Sequence, residues 1–154
     1  MKIDSPKFKN GKEIPTKYTA DGENISPELV IAEIPKKTKS LVLVCSDPDA
    51  VKVCGFVWIH WIVFNINTEN QGEIIFERGS IPEVSMQGKN SDGGIGYSGP
   101  SPPNGGGTHR YYFTAYALSD FLDLKEGCSS KQIEESMKNK IIEKSEFFGV
   151  YSRY

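Results

Sequence analysis

Histidine occurs twice in this chain of 154 residues, tryptophan twice and cysteine three times. Each scarcity narrows what the molecule can be. Three cysteines, Cys45, Cys54 and Cys128, are an odd number at irregular spacing. That is not the pattern of a disulfide-stapled secreted domain. Cys45 closes an apolar run and reads as a small buried hydrophobe rather than a reactive thiol, although a Cys45–Cys54 bridge stays open. No apolar run suffices to cross a bilayer, which takes about 20 residues. The longest, Phe56 to Phe64, is interrupted by His60. The N-terminus, Met-Lys-Ile-Asp-Ser-Pro, lacks an apolar signal core and a small-residue cleavage site, so a cytoplasmic protein is expected. There is no excess of one charge either. Eighteen Lys and Arg against 20 Asp and Glu leave −2, which argues against a nucleic-acid binder with a basic face. Lys36, Lys37 and Lys39 follow Pro35 and read as a solvated turn. No basic amphipathic helix points to a membrane surface, and no stable membrane insertion is expected.

What the chain does have is punctuation. Fifteen glycines and nine prolines divide it into short strand-like runs. With 38% apolar residues and a length near the mode for domains, it reads as one domain over 1–154 with a single substantial core. The pattern is that of a mainly β sandwich with long Gly/Pro-rich loops and a C-terminal helix. Ile3 to Tyr18 holds one or two edge strands, and Asp21-Gly22 marks a turn. Ser40 to Cys45 is apolar on both faces and reads as a strand covered on both sides. Phe56 to Asn65 reads the same way. Strict alternation puts Trp58, His60, Ile62 and Phe64 on one face, with Ile59, Trp61 and Val63 on the other. His109 to Leu118 is a further strand. The one clear helix follows, capped by Ser129 or Ser130, with Ile133, Met137, Ile141 and Ile142 as its core-packing stripe. Phe147 to Tyr154 is aromatic and closes the fold as a strand.

Chemistry concentrates in few places. Both histidines fall in strand-like segments, where a histidine is more often a satisfied core residue than a working one. Two neighbours weigh against that bland reading. Asp47-Pro48-Asp49 directly follows the strand ending at Cys45, and a Gly/Pro-rich stretch from 79 to 108 directly precedes His109. Loops this long in a compact domain are usually functional or disordered, and strand ends with loops are where sites form. Pro48 stiffens the corner and holds Asp47 extended. The two carboxylates either cap a turn or line a site. The glycines can bring backbone N–H groups close to an anion, but the spacing matches neither the Walker nor the Rossmann pattern. Tyr97 argues that this stretch is packed.

Four ordered motifs together are more specific than any one. They are Ser46-Asp47-Pro48-Asp49-Ala50, then Trp58-Ile59-His60-Trp61-Ile62-Val63-Phe64-Asn65-Ile66, then Gly96-Tyr97-Ser98-Gly99-Pro100-Ser101-Pro102-Pro103, and His109-Arg110-Tyr111-Tyr112-Phe113. Ile14-Pro15, Asp21-Gly22, Asn24-Ile25-Ser26-Pro27 and Tyr116-Ala117-Leu118 accompany them. From about residue 8 onward the chain resembles the phosphatidylethanolamine-binding protein family, in its short bacterial and archaeal branch. The resemblance implies an antiparallel, Greek-key-like β-sandwich and a pocket for phosphate or a phosphorylated head group. It carries Asp47 and Asp49 onto one wall, His60 and His109 as imidazole donors, Trp58 and Tyr111 as the sides, and Gly99-Pro100 as the rim. It implies no cofactor and no metal. A homodimer is implied for the branch, with the aromatic C-terminus as a contact. Val51 departs from the family's usual proline after Asp-Pro-Asp-Ala, which bears on the local loop shape.

The physics agrees with such a pocket. Carboxylates beside imidazoles favour the imidazolium, which donates from both nitrogens in charge-assisted bonds. Arg110 is expected on the opposite strand face, in an ion pair with an aspartate. The leading expectation is a binding module for a small anionic or phosphorylated ligand, with a kinase-type protein partner implied by the resemblance alone. The alternative is a hydrolase or lyase acting on a phosphorylated metabolite through the Asp and His side chains. No nucleophile elbow supports it. A scaffold acting only through surface contacts is a third reading.

Overall fold

The computed structural model describes residues 1–154. Eight strands form two antiparallel sheets. β1 (Lys2–Asp4), β2 (Leu29–Ala32) and β5 (Ile74–Phe76) make a three-stranded sheet in the order β1-β2-β5. β6 (Met86–Gln87), β4 (Trp58–Asn67), β3 (Ser40–Asp47), β7 (His109–Leu118) and β8 (Ile141–Tyr151) make a five-stranded sheet in that spatial order. Helix α1 (Val51–Cys54) is a single turn after a 3-10 turn at Pro48–Ala50, and α2 (Ser130–Met137) lies between β7 and β8.

The larger sheet is apolar on both faces because both are covered. Leu41, Leu43, Cys45, Val63, Phe113, Ala115 and Ala117 turn inward against Leu29, Ile31, Ile74 and Phe76 of the smaller sheet. Val42, Ile62 and Phe64 turn outward and pack under Ile133 and Met137 of α2. This two-sided burial is why the run Leu41 to Val44 is continuously apolar. Truncating such a residue removes apolar contact and leaves a void, at a cost of about 2–5 kcal/mol for Leu or Ile to Ala.

Two irregularities in β4 overturn the strict alternation expected there. Cys45 pairs with Trp61 and Ser46 with Ile59, so His60 is an extra residue without a partner on β3. A bulge of this kind sets two residues of one strand against one of its neighbour and re-aims the side chains. In consequence Ile59, expected beside Trp61 and Val63, lies with Ile62 and Phe64 on the α2 side, while Trp61 and Val63 face the sandwich interior as the alternation had it. The second break lies between the Leu41–Ile66 and Leu43–Val63 pairs. Asn65 there has φ of 54°, and its side-chain amide bonds both backbone groups of Leu122.

The helix begins where expected. Ser129 accepts from the Gln132 backbone N–H, and Gln132 reaches back to the Ser129 N–H. This reciprocal cap satisfies two N–H groups that the helix cannot. The stripe does not run to Ile141 and Ile142, however. Lys138 leaves the helix and Asn139 adopts φ of 66°, so both isoleucines start β8 and are partly exposed. Asn tolerates the left-handed region better than other residues with side chains, and the turn therefore lacks a glycine signal. The closing strand begins at Ile141 instead of Phe147. All three cysteines are free, so no Cys45–Cys54 bridge exists. No helix is long and apolar enough to cross a membrane.

Candidate functional site

Antiparallel pairing brings three strand ends together. β3 ends at Asp47, which pairs with Trp58 at the start of β4. On the other side Ser46 pairs with Tyr112, three residues in from His109, the first residue of β7. A cavity of about 200 Å³ opens there, lined by Asp47, Trp58, His60, Gly99, His109 and Tyr111.

Asp47 has both roles that its motif left open. Oδ1 accepts from the backbone N–H groups of Asp49 (2.9 Å) and Ala50 (3.2 Å), capping the 3-10 turn. Oδ2 lies 2.7 Å from Nδ1 of His109. An ionised carboxylate only accepts, so Nδ1 carries the proton and Nε2 is the ring's free nitrogen. Asp49 is placed differently from the expectation that it lines the wall. The turn rotates it toward the far face of β7, where Arg110 alternates with His109. The guanidinium grips both oxygens of Asp49, Nη2 to Oδ1 at 2.9 Å and Nε to Oδ2 at 3.0 Å, and the Arg110 backbone N–H adds a third bond. These bonds hold the Asp49 carboxyl down at about 2. Arg110 is thus the structural partner of an aspartate, as expected of it.

His60 reaches the cavity through its bulge. Its Nδ1 donates to the Ser98 carbonyl oxygen at 2.5 Å, while its own carbonyl accepts from the Ser98 N–H at 2.9 Å. The ring meets Tyr111 edge-on at 5.2 Å between centroids. Burial pushes the His60 imidazole below the ordinary histidine value, against the opposing pull of the Ser98 carbonyl and of Asp47 and Asp92.

The long loop is packed. The Tyr97 hydroxyl donates to the Tyr18 carbonyl at 2.6 Å, and its ring stands edge-on to Trp61. The Gly99 N–H donates to the Asn24 side chain at 2.7 Å. A Cβ on Gly99 would stand 2.5 Å from the Tyr18 carbonyl oxygen and 2.6 Å from Asn24 Oδ1, so only glycine fits. Pro100 does not line the cavity; it is buried behind the wall, where its carbonyl accepts from Ala20.

Two atoms stand out. His109 Nε2 and Tyr111 Oη are buried with no hydrogen-bond partner; the one other such side-chain atom is Thr38 Oγ1. Residue exposure is 2% for His109 and 1% for Tyr111. Burial also pushes the Tyr111 phenol up, keeping it a hydroxyl donor. The lining further includes Ala50, Val53 and Cys54 from the turn and α1, and Asp92 with Ser101 to Pro103 from the long loop. Ser101 to Pro103 sit in a motif already quoted, whereas Asp92 and Cys54 carried no signal. No group of three or more His, Cys, Asp or Glu side chains is arranged to hold a metal ion.

Known proteins share this architecture. The sequence profile described as phosphatidylethanolamine-binding protein matches residues 4–152. A "UPF0098 protein" of Methanothermobacter thermautotrophicus is 41% identical, covering 99% of each chain. The solved structure of a phosphatidylethanolamine-binding protein homologue from Chlamydia trachomatis superimposes with a TM-score of 0.89 at 39% identity, over 99% of this chain and 97% of that one. Escherichia coli YbcL, described as a member of the mammalian family, also gives 0.89, at 26% identity and 99% and 98% coverage. On its sequence over nearly its whole length, and on its fold, this chain belongs to the phosphatidylethanolamine-binding protein family.

Proposed function

We propose that the chain binds a small phosphorylated or otherwise anionic ligand in the cavity between His60 and His109, and that binding takes up a proton. The observation that carries this is the pair of buried, unpartnered atoms, His109 Nε2 and Tyr111 Oη, on one cavity wall. Leaving such a group unpaired costs about 1–3 kcal/mol, so a ligand that satisfies both is favoured. Tyr111 offers a donor. His109 offers a donor at Nε2 once its ring holds both protons, since Nδ1–H is already given to Asp47. His60 is in the same position, with Nδ1–H given to Ser98. In both rings an added proton turns an acceptor into a charge-assisted donor. An anion with unprotonated oxygens therefore binds together with a proton. The cavity volume suits a head group and not acyl chains.

The test is calorimetric titration with sulfate, phosphate and O-phosphorylethanolamine in buffers of different ionisation enthalpy. Binding with buffer-dependent heat that is lost in His109→Ala supports the proposal. Absence of binding by the unaltered protein overturns it.

One feature favours a second reading. The Asp47–His109 pair has the geometry of an oriented general base, with Nε2 free in a cavity. A hydrolase or lyase acting on a phosphorylated small molecule would use it in that way. Turnover of phosphomonoesters that disappears in His109→Ala would move the function to catalysis.

A further inference from the structure

Cys54 ends α1 at the mouth of the cavity and is part of its lining. It is exposed, whereas Cys45 and Cys128 are buried and burial pushes both of their thiols up. Its Sγ lies 3.3 Å from the Ala50 carbonyl and 3.4 Å from the Phe56 carbonyl, and these two acceptors hold the sulfur at the rim. Gly55, with φ of 89°, closes the helix directly behind it. The same cavity contains the unpartnered His109 Nε2 and Tyr111 Oη, both on nearly fully buried side chains. One small space therefore has an accessible sulfur at its entrance and unmet polar atoms on its inner wall.

We propose that Cys54 is a modification site: its thiol exchanges with low-molecular-weight disulfides that carry a carboxylate, and the mixed disulfide closes the cavity to other anions. The carboxylate is held by the polar atoms of His109 and Tyr111, which brings the S–S bond to Cys54. The proposal rests on the anion-binding reading of this cavity. The Cys54 thiolate attacks one sulfur of the disulfide, the old S–S bond breaks as the new one forms, and the departing thiolate takes the proton that Cys54 released. The Cys54 sulfur rises from the thiol to the disulfide level as the departing sulfur falls from the disulfide to the thiol level, and the sulfur retained on Cys54 stays at the disulfide level. Reduction by an excess of free thiol reverses the step. The added group lies across the entrance, because the exposed Val53 beside Cys54 and Trp58, stacked on Phe56, border the same opening.

The test compares dithiodiglycolate, an anionic disulfide, with hydroxyethyl disulfide and cystamine. Rates are followed by intact-mass spectrometry and normalised to a short cysteine peptide. Anionic over neutral exchange at Cys54 should be favoured by about tenfold, the scale on which a charged site raises local ligand concentration. Sulfate should suppress it, and His109→Ala should abolish the preference. The mixed disulfide should abolish sulfate binding in calorimetry, and Cys54→Ser should bind sulfate but resist modification. If native Cys54 is not modified, or reacts without charge preference or sulfate protection, the modification site is overturned. Sulfate binding by Cys54→Ser in that event leaves anion binding standing. Failure of both the unaltered protein and Cys54→Ser to bind sulfate removes the reading beneath.

Discussion

His60 and His109 reach one cavity from the two strands that flank β3, and they are anchored in different ways. His109 begins a regular strand and gives its Nδ1–H to a carboxylate. His60 sits in a bulge and gives its Nδ1–H to a carbonyl of the long loop. A carboxylate brings a full charge against the ring, whereas a carbonyl brings only a dipole. The His60 imidazole is correspondingly dominated by burial and lowered. The His109 anchor is built into adjacent strands. The His60 anchor depends on how residues 97 to 99 are strapped to Tyr18 and Asn24. Similar side chains are thus held in one case by the sheet and in the other by a loop.

The largest effect should come from breaking the carboxylate anchor. His109→Ala is expected to weaken sulfate binding roughly 10–100-fold, the worth of one hydrogen bond to a charged group, as read by calorimetry. Asp47→Asn should weaken binding similarly and also loosen the turn that starts at Pro48, because its side chain caps that turn. Affinity in both variants equal to that of the unaltered protein would show that the carboxylate-anchored His109 does not carry the binding.

Next in size is the loop anchor. Gly99→Ala forces a Cβ against the Tyr18 carbonyl and the Asn24 side chain. Overpacking of this sort costs about 1–3 kcal/mol, measurable as a lowered denaturation midpoint. Because Ser98 adjoins it, sulfate affinity should fall as well, while the Asp47–His109 pair is untouched.

The pH profile sharpens the comparison. In the ligand-free protein His60 titrates below the ordinary histidine value. The unfolded chain therefore binds that proton more tightly. The stability His60 contributes is present above about pH 6.5, the unperturbed value, and is lost as pH falls through the lower folded value. A bound anion opposes this by stabilising the imidazolium. Sulfate, whose charge is constant across this range, should bind more tightly as pH is lowered from about 8 to about 6. His60→Ala should flatten that slope in part. An unaltered slope would remove His60 from the proton uptake.

The smallest effect concerns the aspartate that faces away. Arg110→Ala should leave sulfate affinity unchanged and cost at most about 1 kcal/mol, because the guanidinium is exposed to solvent. The Asp49 carboxyl is depressed to about 2. Its contribution is thus complete above the ordinary carboxylate value of about 4 and fades as pH falls toward 2. Acid unfolding followed by circular dichroism should start at higher pH in the variant.

Much of the fold was legible because its signals are local. A strand covered on both faces needs uninterrupted apolar residues, and Leu41 to Val44 provide them. A helix start needs a capping side chain, and Ser129 with Gln132 provides one. The strand from His109 to Leu118 could be read to the residue. Of the smaller sheet only an edge strand near Ile3 was read in advance, since β2 and β5 have only four and three residues and too little pattern to separate them from loop. The bulge at His60 was also hidden. It is a mismatch with β3, and the alternation of β4 taken alone conceals it.

The site divides along the same line. Sequence by itself determined the kinds of group involved: a rigid Asp-Pro-Asp corner, two histidines in strand-like segments, and a glycine-rich loop before the second. Tertiary structure alone decided that Asp47 faces the cavity while Asp49 serves Arg110, that Pro100 lies behind the wall, and that Cys54 stands at the mouth. The reason is competition for partners. Which carboxylate meets which cation or imidazole, and which buried atoms stay unpaired, follows from strand register and loop packing between residues far apart in the chain. Such pairings cost or release free energy only once the whole sandwich has closed.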